Sequence, residues 1–129
     1  MKWVLGDQAM TADPFTDRLA RVRDRFATTL AGKIDETCAA IPYFADASPA
    51  APAAVAEAYR CVHGIVGVGR TVGFPASGSA AHHVEDILRS PQQQRRGLTT
   101  DEIALLTKML QGLREVATRE LQSFNSPQS

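Results

Sequence analysis

The fold turns on residues 53–74, AAVAEAYRCVHGIVGVGRTVGF. At about 100° per residue, Val55, Ala58, Val62, Ile65, Gly69 and Val72 recur at alternating steps of three and four and share one face. The segment therefore predicts an amphipathic helix buried along a single stripe. His63 lies beside that stripe at the solvent boundary, with Gly67 and Arg70 one and two turns on along its own face. Gly64, Gly67, Gly69 and Gly73 crowd the same stretch, although a glycine costs a helix interior up to about 1 kcal/mol against alanine. That penalty implies that something must approach the backbone closely here.

Outward from this segment the pattern stays helical. Asp13-Pro14 reads as an N-cap and a first helical position. Phe15, Leu19, Val22, Phe26, Leu30, Ile34, Cys38 and Ile41 then recur every three or four residues, predicting a long helix that ends near Pro42. Residues 45–51 form a loop, and Pro52 suits the first turn of the helix described above. Gly73-Phe74-Pro75 stops that helix, and Ser77-Gly78-Ser79 is expected to cap a third, with Val84, Ile87 and Leu88 inward and Ser90-Pro91 at its end. Beyond a polar loop with Gln92, Gln94, Arg95 and Arg96, Thr99 and Glu102 make a capping box, flanked by Leu98 and Ile103 as a hydrophobic staple. Ile103, Leu106, Leu110, Leu113, Val116, Leu121 and Phe124 define the last helix. No strand pattern competes. The expectation is an all-α protein, an antiparallel four-helix bundle of up-down topology over residues 13–124. Residues 1–12 read as an N-terminal arm in which Trp3 serves packing, and residues 125–129 as a polar tail.

Composition narrows the function. A chain of 129 residues with 44% hydrophobic content suits one domain with one core. Fourteen basic and fourteen acidic residues cancel, so no global field favours nucleic acid or an anionic membrane as partner. Lys2 is followed only by Trp3, Val4 and Leu5 before Gly6, too short an apolar run for a signal-peptide core or a membrane span, which points to a cytoplasmic protein. Cys38 and Cys61 lack CxxC or Cys/His ligand spacing and read as core filler. Neither a GxxxxGK[ST] loop nor a Gly-rich kinase box is present, so autophosphorylation from ATP is not expected.

The order His63, three residues, Gly67, five residues, Gly73-Phe74, on the second long helix of a predicted bundle, resembles the histidine-containing phosphotransfer (HPt) domain family. The resemblance extends through the proline-containing turn after Gly73, the acidic and apolar stretch Val84 to Leu88, and the capped last helix, over residues 14–122. It implies that His63 accepts a phosphoryl group from the phospho-aspartate of one receiver domain and passes it to the aspartate of another. Response-regulator receivers and a sensor hybrid histidine kinase are then the partners. An exposed neutral imidazole is nucleophilic without a strong base, and phosphoryl transfer requires access and positioning above all. Gly67 would leave room for the phosphoryl group, while Arg60 and Arg70, one turn before and two turns after His63, would screen its charge. With no carboxylate cluster apparent near His63, no cofactor is expected on this chain, and the Mg²⁺ of the reaction belongs to the receiver's acidic pocket.

Two positions depart from the family pattern. Many members carry lysine three residues after the histidine, where this chain has Val66, and Gly64 stands where a long or basic side chain is common. Val66 is therefore expected to extend an apolar docking patch with Tyr59. The alternative reading is a phosphorylation-incompetent adaptor of the same fold that binds or sequesters a response regulator. A metal or cofactor bundle built on His63, His82 and His83 is disfavoured, because adjacent histidines point about 100° apart and no HxxxH or ExxH spacing occurs. One of that pair is expected near the active face and the other in solvent. Arg89, Arg95 and Arg96 read as solubilising charges.

Overall fold

Helices α1 (Pro14–Ala39), α2 (Ala51–Val72), α3 (Pro75–Gln93) and α4 (Thr100–Asn125) make up nearly all of the computed structural model, which describes residues 14–126. A 3₁₀ turn at Ile41–Tyr43 follows α1, and no strand occurs among the described residues. Trp3 and the Asp13 cap lie outside the described residues. Helix α1 packs on α2 and α4, and α3 packs on the same two helices, so the four enclose one core.

The stripe of residues 55–72 is buried as its periodicity requires: Val55 and Val62 are 0% exposed, Ile65 and Val72 1%. Leu30 and Ile34 of α1, Val84 and Leu88 of α3, and Leu106, Leu110 and Leu113 of α4 face them. Burying an aliphatic side chain of this size contributes about 1.5–3 kcal/mol, which is what drives these stripes together. Three expected core residues are exposed, Phe15 at 64%, Val22 at 40% and Phe124 at 39%. Val22 falls at the edge of the α1 stripe, beside Val68 in the groove between α1 and α2, and the fully buried run begins only at Phe26.

Two glycines explain why α2 and α3 make the most extensive contact of the fold. A Cβ on Gly69 would come within 3.2 Å of Phe26 Cζ and 3.3 Å of the Phe74 carbonyl oxygen, and one on Gly78 within 2.8 Å of Arg70 Cγ. Their hydrogens let the two backbones close on each other. Gly73 then turns the chain between them, at φ 97°, and the Phe74 N–H returns to the Gly69 carbonyl at 2.8 Å in a Schellman-type end.

The start and end of α3 differ from the sequence expectation. Ser77, Gly78 and Ser79 lie inside its first turns, not before them, and Phe74 occupies the N-cap with no side-chain bond. The free N–H groups are instead capped from α4, where Glu120 accepts from Ala76 N at 2.9 Å and Ser77 N at 2.7 Å. A carboxylate suits the positive end of the helix dipole whichever element supplies it. At the other end the helix runs through Pro91 to Gln93. Pro91 is buried in the last turn, where its missing N–H affects only one helical bond. The start of α4 is as expected: Thr99 and Glu102 cap each other, Leu98 is 1% exposed and Ile103 packs on the core. Arg96 adds a two-pronged ion pair to Glu102 at 2.9 and 3.0 Å. No helix among the described residues is long and apolar enough to cross a membrane.

Candidate functional site

His63 stands on the fourth turn of α2, with 67% of its side chain exposed. Its position follows from the stripe. Val62 points into the core, so the next residue is turned about 100° toward solvent, on the side where α3 passes. The ring stacks on Tyr59, one turn earlier, with centroids 5.9 Å apart and planes 14° from parallel. Its Nδ1 is hydrogen-bonded to Oε2 of Glu85, on α3.

Glu85 is the residue that sequence reasoning missed. It is 3% exposed, and its carboxylate is the buried side of the pair. The sequence pointed to no carboxylate cluster near His63, and this single carboxylate reaches it from another helix. The signal was present: Glu85 lies four residues after Ala81 and three before Leu88, both buried, so it flanks the α3 apolar stripe on the side that meets α2. A charged residue at such a position calls for a partner.

Glu85 has several partners. Oε2 takes His63, while Oε1 lies 3.3 Å from Nδ1 of His82 and 3.6 Å from Nη2 of Arg89. Burial pushes the carboxyl up, but the hydrogen bonds from His63 and His82, with the charges of His63 and Arg89, outweigh it and hold Glu85 below its ordinary value. Asp86 accepts from Arg89 at 2.6 Å and is lowered by that bond above all. Of the adjacent histidines, His82 lies beside Glu85 on the His63 side, and His83 is exposed.

The ionised carboxylate fixes the imidazole tautomer. Carboxylate oxygens only accept, so Nδ1 of a neutral His63 carries the proton and Nε2 presents its lone pair on the outward side of the ring. A Cβ on Gly64 or on Gly67 would meet nothing within 4 Å. These two glycines thus leave open space, while Gly69 serves helix packing.

The other expected site residues divide. Tyr59 is at the site, half-buried against the histidine ring. Arg60 is exposed and paired with Glu57 on its own helix. Arg70 is exposed two turns on, its stem lying over Gly78. Val66 is 8% exposed and belongs to the core, which corrects its assignment to a surface patch. Three residues after His63 is the direction of α3, and the Val66 carbonyl faces Gly78 there. Among the described residues no group of three or more His, Cys, Asp or Glu side chains is arranged to hold a metal ion.

The site thus presents an exposed imidazole, held at Nδ1 by a buried carboxylate on a neighbouring helix. A family model for the Hpt domain matches residues 21–116. The chain belongs to the Hpt domain family. No curated protein and no solved structure matches it. Hpt domains work in phosphotransfer in two-component signalling, where they meet receiver domains and histidine kinases, and the matched residues include all of α2 and α3 and hence the whole His63 site.

Proposed function

We propose that His63 is the phospho-accepting residue and that this Hpt protein carries a phosphoryl group between the aspartates of receiver domains in a multistep relay. The observation that carries the reading is the exposed His63 ring whose Nδ1 is held by the buried Glu85. In the transfer, the Nε2 lone pair attacks the phosphorus of an aspartyl phosphate in line. The N–P bond forms as the P–O bond to the aspartate breaks, and the electron pair leaves with the aspartate carboxylate. The ring still carries its Nδ1 proton, so it becomes positively charged as the bond forms, and Glu85 stabilises that charge where it develops. Return of the phosphoryl group to a second aspartate reverses each change.

Gly67 gives access, and Tyr59 fixes the plane of the ring. Arg60 and Arg70 would act as outlying cations for the phosphate. The Mg²⁺ that the reaction uses is placed in the receiver's acidic pocket, and a sensor hybrid kinase would supply the first receiver, in the cytoplasm. We read the helices as alternating up and down, since α2 and α3 are separated only by Gly73 and Phe74 and lie against each other. The absence of lysine at Val66 favours the second reading, an adaptor that binds a receiver without accepting phosphate. Glu85 favours the first, because a docking surface has no use for a tautomer-fixing carboxylate. The test is incubation with ³²P-labelled receiver domains, comparing the protein with His63→Gln. Acid-labile, alkali-stable label on the first and none on the second supports the carrier; receiver binding without label supports the adaptor.

A further inference from the structure

Three arginines stand near the site, and two of them are committed elsewhere or distant. Arg60 is paired with Glu57 on the exposed side of α2, and the stem of Arg70 lies over Gly78 two turns beyond His63. Arg89, on α3, is different. Its Nη1 donates to Asp86 at 2.6 Å and its Nη2 lies 3.6 Å from Oε1 of Glu85. Its pKa is held above the ordinary value, first by Asp86 and then by the Tyr59 hydroxyl on α2. It therefore contacts Glu85, which holds Nδ1 of His63, on the side of the site where Tyr59 stacks on the ring.

We propose that Arg89 is a positioning residue for phosphotransfer, which aims Glu85 Oε2 at His63 and ties Tyr59 to the same frame. This rests on the reading of His63 as the phospho-acceptor. A carboxylate in a nearly dry setting can rotate about its last torsion, and what prevents it is a partner on the other oxygen. Oε1 has two such partners, His82 and Arg89, of which only Arg89 is charged at every pH the protein meets. Asp86 holds the guanidinium from its own helix, and its exposure of 46% leaves the pair at the rim, where a receiver would dock.

The experiment measures the rate of phosphoryl uptake from a phosphorylated receiver for the wild type, Arg89→Gln, Arg89→Lys, Tyr59→Phe and the Arg89→Gln/Tyr59→Phe double variant. Uptake should fall about tenfold in Arg89→Gln and about threefold in Tyr59→Phe, with the double variant no slower than Arg89→Gln alone, because both remove the same link. Arg89→Lys, which keeps the charge near Glu85, should recover at least half of the logarithmic loss. Long-range ¹H–¹⁵N spectra should show His63 shifting from the Nδ1–H tautomer toward a mixture in Arg89→Gln. Wild-type uptake that Arg89→Gln leaves unchanged within twofold, with the tautomer intact, overturns the role of Arg89 and leaves the carrier reading standing. If the wild type takes no label while binding the receiver, it is the carrier reading that fails. A loss in Arg89→Gln that lysine does not lessen, with an unchanged tautomer, assigns Arg89 to receiver docking and also overturns the proposal.

Discussion

Replacing Glu85 with glutamine removes one charge and almost no volume, and its effect can be worked from the site. Two unit charges about 4 Å apart attract by about 4 kcal/mol at an effective dielectric constant of 20. The His63 side chain is 67% exposed while that of Glu85 is 5% exposed, so solvent screening reduces this by about half. About 2 kcal/mol of stabilisation of the cationic ring is then lost in the transition state, a slowing of about thirtyfold. The fold should tolerate the change to within about 1 kcal/mol, because relief from burying a carboxylate offsets the lost charge-assisted bonds. The assay is quenched-flow uptake of phosphate from a labelled receiver, with urea unfolding as the control for stability. Uptake by Glu85→Gln within twofold of wild type, in a protein of unchanged stability, would refute the argument that Glu85 stabilises the phosphorylating ring.

Other substitutions separate access from packing. Gly67→Ala adds a methyl group to open space and should stabilise α2 by up to about 1 kcal/mol while slowing phosphotransfer, as thermal melts and the same uptake assay would show. Gly69→Ala places its Cβ 3.2 Å from Phe26 and 3.3 Å from the Phe74 carbonyl, and should destabilise by about 1–3 kcal/mol in urea titrations. Glu120→Gln weakens the cap that α4 provides for α3 and should lower stability by about 1 kcal/mol, seen in the same titrations. Glu102 is held at about 2, first by Arg96, against an ordinary value of 4.5. Its folded-state value is depressed, so the stability it contributes is fully present above pH 4.5 and is lost as pH falls toward 2. Since the pair is 29% exposed on each side, about 1–2 kcal/mol is expected, and acid titrations of Glu102→Gln should lack that part of the loss.

The helices were legible because their apolar stripes and stops are local. The run from Val55 to Val72 and the Thr99–Glu102 box can be read from residues a few positions apart, and both stand as expected. The start of α3 could not be read in this way, because its cap is Glu120, more than forty residues along the chain. Pro91 looked like a stop since proline removes a donor, yet one missing bond in a last turn leaves the helix two residues to run. At the site, His63 and Gly67 stand out by spacing along one helix. Glu85 and Arg89 reach them from another helix, and only the crossing at Gly69 and Gly78 brings those pieces together. Val66 was misplaced for the same reason: whether a position beside the stripe is open depends on where the next helix lies, and here α3 covers it.

The central claim is that Nε2 of His63 carries the phosphoryl group while Glu85 holds Nδ1. The most direct test is ¹⁵N and ³¹P NMR of protein phosphorylated by a labelled receiver. The account predicts phosphorus bonded to Nε2 of His63, with the proton retained on Nδ1. Phosphorus on Nδ1, or on any other residue, would contradict it.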